Sequence, residues 1–276
     1  MKKFAALLLA FILVIGLTAC GSGAGAGNGT GSGDASTGGI SKSSQEFIDA
    51  LNAENAEEKG VCGADLTWYY KDNVLVIKGT GPMNDYDGFT WNFNSIHTPW
   101  EDKELNNKIH WILIDEGVTH IGGDAFGNFE MLSKVELPNT IETIGERAFS
   151  GCVALSSITI PSSVTEIGDS AFSDCDSLSS ITIPDSVTTI GNSAFSNCES
   201  MPSITIPSSV TKFGPYVFVG CGNLTSVTFE GDVPEIEEGY EYLFDGVKLE
   251  QLTVTYSGSG FEPLIEAYPE INWVKK

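Results

Sequence analysis

The sequence predicts a repeat solenoid with a parallel β-sheet, short helical turns and β-rich caps, and three observations carry that prediction. A 23-residue unit recurs, with its clearest copies at 158–180 and 181–203 and further copies starting at Val135, Ile204 and, more loosely, Ile112. Like residues recur in columns: Phe126, Phe149, Phe172, Phe195 and Phe218; Ile121, Ile144, Ile167, Ile190 and Phe213; Leu132, Leu155, Leu178, Met201 and Leu224. The triplets Ile158-Thr159-Ile160, Ile181-Thr182-Ile183 and Ile204-Thr205-Ile206 alternate apolar and polar with β-branched residues, as a half-buried strand does. A unit this small cannot bury its own apolar face, so the copies must stack. Such chains usually bind rather than catalyse.

The chain opens with Lys2 and Lys3, then an apolar run through Leu17, then Leu17-Thr18-Ala19-Cys20. The run is short for a membrane span but fits a secretory signal over 1–19. Residues 21–39 are nearly all Gly, Ser, Ala and Thr, which reads as a flexible tether within 20–40. Phe47, Ile48 and Leu51 at helical spacing predict a short amphipathic helix in 41–58. Residues 59–110 read as a β cap, with strands at 66–70 and 74–78 joined across Lys71-Asp72-Asn73 as a hairpin that closes the first rung.

The repeats occupy 111–229. In each, Pro161, Pro184 or Pro207 stops the strand, because proline cannot donate to a ladder. Gly145, Gly168, Gly191 and Gly214 mark a tight turn before a helical turn such as Asp169-Ser170-Ala171-Phe172. The remainder, 230–276, reads as a carboxy-terminal cap: strand at 252–256, helix at 261–268, strand at 271–274. A cap is needed because an open solenoid end exposes core and an unpaired strand edge.

Chemistry-bearing residues are sparse. His97, His110 and His120 are scattered, and no zinc-protease, nucleophile-elbow or phosphate-loop motif is present. His120, beside Ile121, reads as solvent-facing or capping, and Asp85 with Asp87 reads as a turn rather than an acid–base pair. The run Glu235-Ile236-Glu237-Glu238 with Glu241 lacks the Asp/Asn alternation and glycine of a calcium loop. Cys152, Cys175, Cys198 and Cys221, each 23 apart, form one column and read as buried, free thiols. Stacking leaves a bridge between neighbours sterically possible but torsionally difficult. No cofactor, no metal and no enzymatic activity are predicted. A net charge of −23, more negative still once Lys2 and Lys3 are removed, makes nucleic acid and anionic bilayers poor partners.

The string from Leu155 to Cys175, L-x-x-I-T-I-P-x-S-V-T-x-I-G-x-x-A-F-x-x-C, resembles the BspA-like (treponemal) class of leucine-rich repeat, found in bacterial surface proteins. Cys62-Gly63, Leu66-Thr67-Trp68, Ile77 to Gly81 and Pro99-Trp100 resemble the module that often precedes such repeats, so the likeness spans roughly 60–229. Phe129 in place of the repeat Cys, and the loss of the unit after Phe229, depart from the pattern. The resemblance implies a right-handed leucine-rich-repeat superhelix and a surface-exposed interaction protein, some relatives being adhesins. Leu-Thr-Ala-Cys resembles a bacterial lipobox, implying cleavage before Cys20, a diacylglyceryl group on its sulfur, and a lipid-anchored protein on the outer face of a bacterial membrane.

Two function classes follow: a module binding a host or neighbouring-cell protein or glycan through its sheet face, and an envelope spacer. Ice or crystal-lattice binding through the Ser and Thr rows is a third, weaker reading, since threonine also suits strands by propensity. The outward columns change along the stack, which a spacer does not require. Trp111, Leu113, Lys134 and Glu136 face out in the first rungs, and Ser157, Thr159, Ser180, Thr182, Ser203 and Thr205 in the middle. Trp111, Leu113, Lys134, Glu136, Ser157 and Thr159 are therefore the ligand-binding candidates. Trp111 has a competing reading, as part of a cap under the amino-terminal hairpin.

Overall fold

In the computed structural model, which describes residues 39–86, 97–236 and 239–276, the β-branched triplets form the strands of a stacked parallel ladder. This front sheet collects β1 (Glu58–Val61), β2 (Leu66–Lys71), β3 (Val74–Gly79), β5 (Trp111–Ile114) and β7 (Lys134–Glu136). The same face continues in a two-stranded sheet of β9 (Ser157–Thr159) and β11 (Ser180–Thr182) and a four-stranded sheet of β13 (Ser203–Ile206), β15 (Ser226–Phe229), β17 (Thr253–Tyr256) and β18 (Asn272–Lys275). The repeat sets the register, so that Ser180 faces Ser157, Ile181 faces Ile158 and Thr182 faces Thr159. Only β1, β2 and β3 run antiparallel, as the hairpin and a third strand outside it.

One sheeted face was expected; there are two. A back sheet of seven strands stacks β4 (Gly81–Pro82), β6 (Val118–Ile121), β8 (Thr143–Ile144), β10 (Glu166–Ile167), β12 (Thr189–Ile190), β14 (Lys212–Phe213) and β16 (Glu235–Ile236). The column Ile121, Ile144, Ile167, Ile190 and Phe213 belongs to it and points inward, fully buried or nearly so. Two-residue strands carry too little alternation to be read as strands from sequence.

The predicted helical turns are turns without helix. Arg147, Ser170, Ser193 and Tyr216 each sit at a left-handed φ of 52 to 62° in them, which no α-helix accommodates. The consequence is energetic. A helix would spend its amides internally, whereas here Phe149 N–H donates to Ala171 O and Phe172 N–H to Ala194 O, both at 2.9 Å. Every unit is thus tied to the next on three sides, satisfying the buried backbone.

The glycine column also has a different cause from the one expected. A Cβ at Gly168 would stand 2.8 Å from Glu146 N and from Gly145 C, and one at Gly214 2.2 Å from Asn192 N, so glycine is there because the preceding rung's backbone lies against it. Inside, Trp100, Phe126, Phe149, Phe172, Phe195, Phe218 and Phe244 stack in series, with centroids 5.3 to 6.5 Å apart. Each such pair adds about 0.5–1.5 kcal/mol beyond area burial. Trp100 begins the series and donates its Nε1–H to Ala125 O at 2.9 Å.

The stack outlasts the sequence unit. Beyond Phe229 the ladder advances by 27 residues, pairing Thr253 with Ser226, and β18 adds a further parallel strand. Tyr268, in the segment after α2 (Glu262–Ala267), closes the aromatic series edge-on against Phe244 at 5.3 Å.

Candidate interaction surfaces

Position 41 sets the first surface. Ser41 caps α1 (Lys42–Ala50), its Oγ accepting from Ser44 N–H at 3.2 Å, and the apolar side of this helix lies on the outward face of the first parallel strands. Phe47, Ile48 and Leu51 pack with Val74, Val76, Trp111 and Leu113 in a cluster separate from the main core. Trp111 is 3% exposed and Leu113 fully buried, so the expectation that these two offer apolar area to a partner is corrected. The cover is α1, not the hairpin.

Lys134 and Glu136 clamp that cover. The Lys134 ammonium stands 4.0 Å above the Trp111 ring and 2.7 Å from Glu136 Oε1, and the other Glu136 oxygen accepts from Ser41 N–H at 3.0 Å. Partial burial pushes the Glu136 carboxyl up. The hydrogen bonds from Lys134, Ser41 and Ser44 outweigh it and hold the group below the usual glutamate range. Lys78 Nζ bonds Leu51 O at 2.8 Å and Gln45 Nε2 bonds Asp115 Oδ1 at 3.2 Å, completing the attachment. Sequence reasoning placed these side chains on the outward face correctly. It could not see that another segment of the chain already occupies that face.

Past α1 no described residue covers the front face. Ser157, Thr159, Ser180, Thr182, Ser203 and Thr205 are all exposed, in two rows of hydroxyls on one face. Ser226, Thr228, Thr253 and Thr255 extend the rows, half-buried. Cys20, Asp87, Glu237 and Glu238 lie outside the described residues.

The remaining chemistry-bearing groups are structural. His120 bridges Thr143 Oγ1 at 2.6 Å and Asp85 Oδ1 at 3.0 Å, and the same Asp85 oxygen accepts from Gly123 N–H at 2.7 Å. The Gly123 amide and His120 hold Asp85 below its ordinary carboxylate range, and the set pins the amino-terminal cap to the first rungs. The column thiols are free and buried, each donating to a carbonyl of the Phe column: Cys152 to Phe126, Cys175 to Phe149, Cys198 to Phe172 and Cys221 to Phe195, at 3.1 to 3.2 Å. Burial pushes Cys175 and Cys221 up to about 12. At neutral pH they are not nucleophiles. Among the described residues no three His, Cys, Asp or Glu side chains gather as a metal site.

One surface went unread in the sequence. Tyr216, Tyr240 and Tyr242 are 37%, 41% and 45% exposed, on the turn side near the carboxy-terminal end. Tyr242 repeats Tyr216 at a spacing of 26, just as Phe244 repeats Phe218. A search confined to period 23 misses it.

Comparison with known proteins gives the following. The profile of the BspA type leucine rich repeat region matches residues 105–221 and 147–260, in six copies. Among solved structures, a leucine rich repeat protein of T. pallidum shares 24% identity over 75% of this chain and 85% of its own, with a TM-score of 0.46. A leucine-rich repeat protein from Eubacterium ventriosum shares 19% over 79% and 84%, with a TM-score of 0.37. A leucine rich cell surface protein from Faecalibacterium prausnitzii shares 19% over 81% and 96%, with a TM-score of 0.34. The comparison with curated proteins returns no match.

Proposed function

From the premise that this chain belongs to the BspA-type leucine-rich repeat proteins, we propose that it is an exported, lipid-anchored surface protein whose solenoid binds a protein or glycan of a host or neighbouring cell. The observation that carries the reading is the division of the front sheet. Over β3 and β5 the outward face is taken by α1, while from Ser157 to Thr205 the same face is polar and no described residue covers it. A covered end and an open middle suit a contact surface held clear of the cell by a tether. A solenoid core filled along its length by stacked aromatic rings leaves its chemistry on the outside, which supports binding rather than catalysis.

The contact face is tested with the full chain on purified extracellular-matrix proteins and an array of host glycans. Thr159→Lys with Thr182→Lys places two bulky charges on the open face without touching the core. Capture should fall at least about tenfold for the partner found, with the thermal midpoint unchanged. Undiminished capture moves the contact elsewhere, and no capture by the unaltered chain favours the spacer reading. Anchoring is tested separately. Cys20→Ala should release the protein from the membrane fraction or leave it unprocessed, because stable attachment takes more than one acyl chain. Unchanged, detergent-requiring attachment of the variant would refute the lipid anchor.

A further inference from the structure

The turn columns carry an outlier. At the left-handed position of successive turns stand Asp124, Arg147, Ser170 and Ser193, and then Tyr216 at φ 62°. The left-handed geometry is common to the column, Arg147 included, so what sets Tyr216 apart is its exposed aromatic ring and not its backbone. The core gains nothing from the residue, because the ring points out of it and is more than a third exposed.

What the ring does is join an aromatic platform. It stacks on Tyr242 with centroids 5.4 Å apart and planes 20° from parallel. Gly239, at φ 111°, brings its backbone down on the same ring: a Cβ there would stand 3.6 Å from the Tyr216 hydroxyl oxygen and 3.1 Å from Pro215 Cβ. Tyr240 follows in the same turn, and its carbonyl accepts from the Tyr268 hydroxyl at 3.2 Å. Tyr216 and Tyr242 are thus stacked and exposed, with the exposed Tyr240 in the same turn as Tyr242.

The charge around them is one-sided. Residues 213–247 contain seven Asp or Glu and no Lys, Arg or His, and Lys212 and Lys248 bound the stretch. Glu241 and Asp245 lie on the same short segment as Tyr240 and Tyr242, both exposed, and neither carboxylate is in an ion pair or hydrogen bond among the described residues. Burial pushes the Tyr268 hydroxyl up, hydrogen bonds with Phe244 and Leu243 oppose the rise, and Asp245 and Glu241 add to it. Lys212, the basic residue just before this stretch, pairs in register with Glu235 in the back sheet, away from these two.

Resting on the surface-binding reading above, we propose that Tyr216, Tyr240 and Tyr242 with Glu241 and Asp245 form a site for an arginine-bearing, basic polypeptide segment. The electron-rich faces of the rings attract a cation, and the unpaired carboxylates accept its hydrogen bonds. A guanidinium does both at once, since it is planar, stacks on aromatic faces and donates in a fork. A neutral saccharide would use the rings and leave the charge idle. An anionic ligand is repelled by it.

The test uses the full chain in neutral detergent, titrated at low ionic strength with a tetra-arginine peptide, a tetra-lysine peptide and a neutral chitotetraose. The arginine peptide should bind most tightly. Tyr216→Ser, which installs the residue found at the same turn position as Ser170 and Ser193, should weaken it about five- to tenfold with the thermal midpoint within a few degrees. Tyr216→Ser with Tyr242→Ser should weaken it further, and Glu241→Gln with Asp245→Asn should weaken it and flatten its salt dependence. Equal affinity in the tyrosine variants and the unaltered chain would overturn the site, leaving only diffuse attraction to an acidic protein. Preferential binding of chitotetraose would overturn the basic ligand. Running the tyrosine variants through the matrix and glycan panel separates the two proposals: a partner retained by them spares the surface-binding reading, while absence of any partner for the unaltered chain leaves the peptide titration to decide the site.

Discussion

The first parallel strands and the middle rungs share one interior and differ on their outer face. Ile112 and Ile158 occupy the same inward column, both buried. On the outward side, Trp111 and Leu113 lie under α1 while Ser157 and Thr159 meet solvent. A solenoid's inner columns are fixed by the need to stack on the next copy, so they repeat. Its outer columns answer only to whatever covers them, so they change where the cover changes.

That difference is sharpest for two phenylalanines of equal burial. Phe172 sits inside the ring series between Phe149 and Phe195, and Phe47 is on the buried side of α1, in the separate cluster. Phe172→Ala should cost about 3–5 kcal/mol and lower the denaturation midpoint of the whole stack. Phe47→Ala should free the amides of α1 for hydrogen exchange while those of the rungs stay protected, because α1 is a locally opening unit. Equal loss of rung protection in both variants would show that the two regions fold as one.

Next in size comes the backbone contact between rungs. Gly168→Ala brings a methyl group 2.8 Å from two backbone atoms of the preceding unit, neither of which can rotate away. A loss of about 1–3 kcal/mol is expected, from the overpacking of a filled interior. Gly222→Ala, where a Cβ would meet nothing within 4 Å, should change stability little and serves as the control. If the two cost the same, close approach is not what demands glycine at 168.

The clamp over Trp111 ranks third. Lys134→Ala removes the cation above the indole and the partner of Glu136, for a loss of about 0.5–1 kcal/mol seen mainly at α1. It also carries a pH dependence of stated sign. Because Glu136 is held below its ordinary value in the folded state, its contribution is complete above the unfolded value of about 4.3 and is lost as pH falls through the lower folded one. Hydrogen exchange of α1 should therefore rise below about pH 4, and Lys134→Ala should move that rise to higher pH. An acid response of α1 identical in the two proteins would take Lys134 out of the clamp.

Much of this was legible beforehand for a physical reason. Side chains that must interdigitate with copies of themselves leave a strict period, and the Phe, Ile, Leu and Cys columns were read from it residue by residue. The hairpin announced itself by alternation and a turn. The back sheet did not, since two residues such as Glu166 and Ile167 define no periodicity. The left-handed turns were hidden because Arg147 and Ser193 are not residues that signal them. The cover on Trp111 is a contact between segments some sixty residues apart, which no local pattern encodes, and the tyrosine platform fell where the spacing stretched from 23 to 26.

The smallest predicted effect bears on the open face. Thr182 lies exposed in the middle of the hydroxyl rows, in register with Thr159, and its side chain makes no hydrogen bond among the described residues. Thr182→Ala removes a solvated hydroxyl and a methyl group that suits a strand, so a change within about 0.5 kcal/mol is expected. A urea midpoint close to that of the unaltered protein would leave the rows free of any structural duty. A loss above about 1 kcal/mol would instead mean that the hydroxyls stabilise one another along the stack. The regular Ser and Thr columns would then be explained by folding alone, and the contact surface would have to be sought on the turn side of the solenoid.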